Sequence, residues 1–177
     1  MKTSAAKERM KMPRGMRNNN PLNIRRSKTK WVGEVDKITI KEYEPVERNT
    51  DICDRTFCQF QTLEHGWRAA FLLLKKYINN YGLCTIEKMI QRWAPPSENA
   101  TRNYINDVSF HSCIYPDTEL EFGDMKSMLA IGAAMCVCEN GSAYDPLKSD
   151  EWLQAMRGGY AIALKSEQFN KRVDGKV

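Results

Sequence analysis

Residues 124–141 read DMKSMLAIGAAMCVCENG. From Met128 to Cys138 no side chain is charged, and apolar or small residues occupy every face at helical spacing. A helix that is apolar all round is a buried one. Asp124 is a good N-cap, and Glu139-Asn140-Gly141 supplies a polar last turn followed by a glycine stop, where a left-handed residue is expected. The stretch therefore predicts a central helix with the rest of the chain packed around it.

Outward from that helix, the periodicity remains mostly 3.6. Trp67, Ala70, Phe71, Leu74 and Ile78 mark a helix from Glu64 to Tyr81, with Gly82 as its stop. Thr85 caps a second helix, Ile86 to Trp93, closed by Pro95-Pro96. A third is expected from about Thr101 to Val108, with 109–123 irregular. Ser149 caps a last helix carrying Trp152, Leu153, Met156, Tyr160, Ile162 and Leu164, and 165–177 form a polar tail. Nearer the N-terminus the period falls towards two. Trp31, Val32, Val35, Ile38, Ile40 and Tyr43 suit a small hairpin or meander, and Phe57-Cys-Gln-Phe60 a last short strand. Glu44-Pro45 and the polar run 47–54 read as loop. The fold class is α+β, mainly α. A flexible basic arm is expected over 1–13, one domain over 14–164, and the tail after it.

Composition narrows the function. The chain has 177 residues, 42% hydrophobic and 28% charged, as expected of one globular domain. No stretch is apolar enough to span a bilayer. The N-terminus lacks the apolar core of a Sec signal. If the protein acts outside the cytoplasm, a route other than a Sec signal is expected to deliver it. The net charge is +5, with the excess in the first 30 residues. Such an arm can face an anionic cell-wall polymer or nucleic acid, or lie solvated. The acidic 34–54 stretch and the absence of a base-reading motif speak against nucleic acid. Six cysteines form no CxxC pair and only two histidines occur, so a zinc hydrolase, a metal site or another cofactor is not expected. The cysteines read as reduced thiols.

Glu139 is the candidate catalytic residue. Burial and the partial negative charge of a helix C-terminus both favour the neutral form of a carboxylic acid. A protonated acid is what cleavage of a glycosidic bond requires, because it donates to the leaving oxygen. An exposed helix-end residue is the plain alternative. Asn18, Asn19, Asn20 and Asn23 offer neutral amides of the kind that read acetamido sugars, or simply build a turn. Tyr104, Trp93 and Trp67 are stacking candidates, each equally at home in a core. Glu64 starts a helix or serves as a second carboxylate.

The segments RGMRNNNPLNIR (14–25), Phe57–Phe60, Glu64–Ala69, TIEKMIQRWAPPSEN (85–99), Tyr104 and Glu139–Gly141 resemble a phage and prophage virion-protein family usually labelled structural protein, within the lysozyme-like superfamily. The resemblance covers roughly 13–164. Leu22 stands where that family's pattern usually has glycine, and the 36–54 connection is longer than usual. The order of Asn19-Asn20-Pro-Leu-Asn-Ile24, hairpin and Phe57–Gly66 is also similar to that of cell-wall glucosaminidases, with the glutamate helix last instead of first, as in a circular permutation. The resemblance implies a lysozyme-like helical domain that cuts peptidoglycan as a muramidase, glucosaminidase or lytic transglycosylase. It places Glu139 and Asn19 on one cleft. It equally admits a non-catalytic virion or injection-apparatus component that binds wall glycan, with other virion or secretion-apparatus proteins as partners.

Overall fold

The computed structural model describes residues 5–42, 48–96 and 100–166. Two short helices, α1 (Ala5–Lys11) and α2 (Arg14–Arg17), precede four strands: β1 (Glu34–Val35), β2 (Lys37–Glu42), β3 (Arg48–Cys53) and β4 (Gln59–Phe60). Then come α3 (Leu63–Tyr81), α4 (Ile86–Trp93), α5 (Thr101–Ser112), α6 (Met125–Asn140), two 3-10 turns, and α7 (Asp150–Lys165). The result is mixed α+β and mainly helical, with small hairpins near the N-terminus.

The caps read from the sequence operate as expected. The side chains of Thr85, Asp124 and Ser149 accept from the amides of Lys88, Ser127 and Trp152. The predicted central helix is α6, with Met128, Ile131, Met135 and Cys136 buried. Helix α5 packs along it, and α3 packs along α7. Between these pairs lie Trp67, Phe71 and Tyr160: Trp67 stacks on Phe71 at 5.6 Å and Phe71 meets Tyr160 edge-on at 5.4 Å. Close approach of α3 and α7 requires Gly159, where a Cβ would collide with Trp67 and the Arg68 amide.

The structure corrects four expectations. The arm over 1–13 is helical across Ala5–Lys11, with Ala6 buried. Arg9 holds it down by donating to the Arg17 carbonyl at 3.0 Å and to Asn19 Oδ1 at 2.9 Å. The polar run 47–54 is strand over Arg48–Cys53, antiparallel to β2 from Lys37↔Cys53 to Glu42↔Arg48. Cross-strand contacts explain it: Asp51 accepts from Lys37 at 2.6 Å and from Thr39 at 2.7 Å, and Ile52 is buried opposite Ile38. Helix α5 continues to Ser112 and stops at Cys113, a non-glycine residue at φ 57°. Gly141 has φ 92° and ψ 159°, outside the left-handed helical well yet still glycine territory. The β1–β4 pairing matches the expected last short strand. The Glu44-Pro45 loop, Ser97–Asn99 and the tail after Ser166 lie outside the described residues. Among the described residues no helix is long and apolar enough to cross a membrane.

Candidate active site

The loop after α2 is threaded through the scaffold by its own asparagines. Asn18 is fully buried, donates to Asp54 Oδ2 at 2.9 Å and accepts from Gln59 at 3.3 Å. Asn19, at φ 52°, donates to the carbonyls of Phe60 and Gln61 at 2.9 and 3.2 Å. Asn20 is fully buried. Its Nδ2 donates to the carbonyls of Ile24 and Cys58, and its Oδ1 accepts from the Ile24 amide. Asn19 also presses its carbonyl onto Gly66 of α3, where any Cβ would strike it. Leu22, at the position where the resembled family's pattern usually has glycine, points into the core and is 1% exposed. Its Cβ therefore takes up interior space and not the surface of the loop.

This bracing delivers Asn23 to α6. Asn23 sits at φ 51° and donates from Nδ2 to Glu139 Oε2 at 2.8 Å. Tyr104 of α5 donates its hydroxyl to Glu139 Oε1, also at 2.8 Å. Next along α6, Asn140 donates to the Pro21 carbonyl at 2.8 Å, so the helix end and the loop are fastened at two successive residues. Glu139 is half-buried, and both its oxygens are engaged. Asn23 Oδ1 is buried without a hydrogen-bond partner among the described residues.

The electrostatics follow from this packing. Burial, reinforced by the Glu139 charge and hydrogen bond, pushes the Tyr104 hydroxyl well above the ordinary tyrosine range. It stays protonated at any physiological pH. The Cys138 thiol is pushed up to about 12 by burial, then by the charges of Asp107 and Glu139. Cys136 is likewise raised to about 12, chiefly by burial. Neither thiol is a nucleophile there. Asp107 is an exposed carboxylate one turn beyond Tyr104 on α5. The sequence reading missed it. The available signal was its i, i+3 relation to Tyr104, which sets both on one helix face.

Other candidates lie elsewhere. Glu64 is exposed in the first turn of α3 and abuts Gly158 of α7. Trp67 is a core residue, and Trp93 packs edge-on against Tyr77 at 6.3 Å. Asn19 borders a separate open groove of about 580 Å³ between α1 and β2, whose walls include Arg9, Ile38, Ile40 and Gln61 but not Glu139.

Comparison with known proteins adds one relative. The chain is 39% identical over 146 residues to Protein P5 of Pseudoalteromonas phage PM2, covering 78% of this chain and 81% of that protein. The chain belongs to the family of that phage protein. No family profile matches it. The phage origin of this family agrees with the kind of family that the asparagine loop resembles.

Proposed function

We propose that this phage-family protein cleaves the glycan strands of peptidoglycan in a lysozyme-like arrangement, with Glu139 as the general acid. The observation that carries this reading is the engagement of Glu139 by Asn23 and Tyr104. A single half-buried carboxylate is gripped at both oxygens by neutral groups from two other parts of the chain. Each carboxyl oxygen has a second lone pair beyond the one its partner occupies, so Glu139 can carry the catalytic proton there, aimed at the leaving oxygen, while Asn23 and Tyr104 hold it. The raised Tyr104 pKa keeps that hydroxyl neutral. Proton donation to the leaving glycosidic oxygen then proceeds through an oxocarbenium-like state. Asp107 is the nearby carboxylate for a second role, and the sugar's own acetamido group or 6-hydroxyl serves equally.

Glu139→Gln tests the reading. The amide keeps the shape and cannot donate a proton of the required acidity. Clearing of cell wall in a zymogram is expected to fall by about 100-fold or more, with binding to purified sacculi retained. Undiminished clearing would end the assignment.

A second reading is a non-catalytic virion component that binds wall glycan. The internal use of the Asn18, Asn19 and Asn20 amides favours it, because those groups are spent on building the loop and not on holding a sugar for cleavage. Binding to sacculi by the native chain with no release of soluble fragments would select it.

A further inference from the structure

Charge is segregated along α6. Between residues 5 and 30 there are nine Lys or Arg and one acid, Glu8; of the nine, Arg14, Arg26 and Lys30 are ion-paired with Asp54, Glu34 and Asp36, which leaves the segment with a smaller positive excess. Between residues 108 and 125 there are four acids and no Lys or Arg, with Lys126 next in the chain. The two segments sit at opposite ends of the same helix. The basic segment reaches the C-terminal end of α6, where Asn140 donates to the Pro21 carbonyl. The acidic segment leads directly into the N-terminal end, where Asp124 is the cap. The 16 residues of α6 separate them by about 24 Å.

Both ends also expose apolar side chains. At the acidic end Phe110 is 79% and Tyr115 80% exposed, the highest values among the large hydrophobics of the described residues, and Met125 is 52% exposed. Asp117, Glu119 and Glu121 surround that sequence and are themselves exposed. At the basic end Met10 is 51% exposed, next to the exposed Lys11. Aromatic rings ringed by carboxylates suit a surface of cations and a thioether, through cation–π, sulfur–aromatic and ionic contacts. The chain already makes such a contact internally, with the Arg14 guanidinium 4.5 Å over the Phe57 ring.

We infer that the acidic aromatic end of one molecule docks on the basic end of a second copy, so that the protein associates head to tail. Like ends repel, which disfavours a two-fold dimer made from either end alone. A head-to-tail contact leaves one free end on each side of every pair, so association continues past the dimer to a ring or a short filament. This inference is independent of the catalytic reading and holds for an enzyme or a structural component alike.

Sedimentation velocity and light scattering on the full chain test it. The mean mass is expected to rise with concentration beyond that of a dimer at low ionic strength. The association constant is expected to drop by about tenfold or more at physiological salt, where the Debye length is about 8 Å. Two surface variants complete the test: Phe110→Ser with Tyr115→Ser, and Met10→Ser with Lys11→Gln. With circular dichroism unchanged, each alone is expected to be monomeric, while their mixture forms one intact interface and stops at a heterodimer. The inference is overturned if the native chain stays monomeric or arrests at a dimer, if either variant associates like the native chain, or if the mixture stays monomeric.

Discussion

Asn18 and Asn20, on the inner turn of the loop, spend their amides on Asp54, Gln59, Ile24 and Cys58 and are fully buried. Asn23, three residues after Asn20, turns its amide to Glu139 and keeps an unpaired Oδ1. One residue type on one loop thus builds the scaffold at one end and addresses a candidate acid at the other. What separates the two kinds of asparagine is whether the hydrogen-bonding capacity of the amide is exhausted inside the fold.

That contrast can be broken from either side. Asn20→Ala removes three buried hydrogen bonds and is expected to cost about 3 kcal/mol, at about 1 kcal/mol each. Chemical denaturation measures it, and a loss below about 1 kcal/mol would put Asn20 in the same class as Asn23. Asp54→Ala strands the Asn18 amide and is expected to cost about 2 kcal/mol at neutral pH. Burial alone would raise the Asp54 carboxyl. The amides of Phe57 and Thr56, the Asn18 side chain and the Arg14 charge outweigh it and hold the pKa below the ordinary value. A depressed folded pKa means stability that is present above the unfolded value of about 3.9 and lost as pH falls through the folded one. The gap between native and variant should therefore close in acid. A gap that held constant down to the acid limb would contradict that linkage. Asn23→Ala is expected to cost under about 1 kcal/mol of stability but about tenfold in wall clearing, equivalent to about 1.4 kcal/mol in barrier. A stability loss as large as that of Asn20→Ala would erase the distinction between them.

Helices α3, α4, α6 and α7 were legible because hydrophobic spacing and boundary residues agreed: Gly82, Thr85, Asp124 and Ser149 stand at their ends. Where tertiary contacts decided, the sequence was mute. Strand β3 is polar and exists through its ladder with β2. Helix α1 is too short to stand alone and is fastened by Arg9. The end of α5 at Cys113 carries no glycine to announce it. Glu139 could be picked out because it follows an uncharged run. Nothing in NNNPLN distinguishes the asparagine that reaches it from those that do not, since their partners lie on distant segments.

The bond from Asn23 to Glu139 joins residues 116 positions apart. A chain leaving the ribosome has its asparagine loop long before its α6. The site therefore cannot assemble co-translationally in pieces. It closes only after nearly the whole domain has been synthesised and its slowest, most non-local contacts have formed. The activity proposed for Glu139 reports on completed folding.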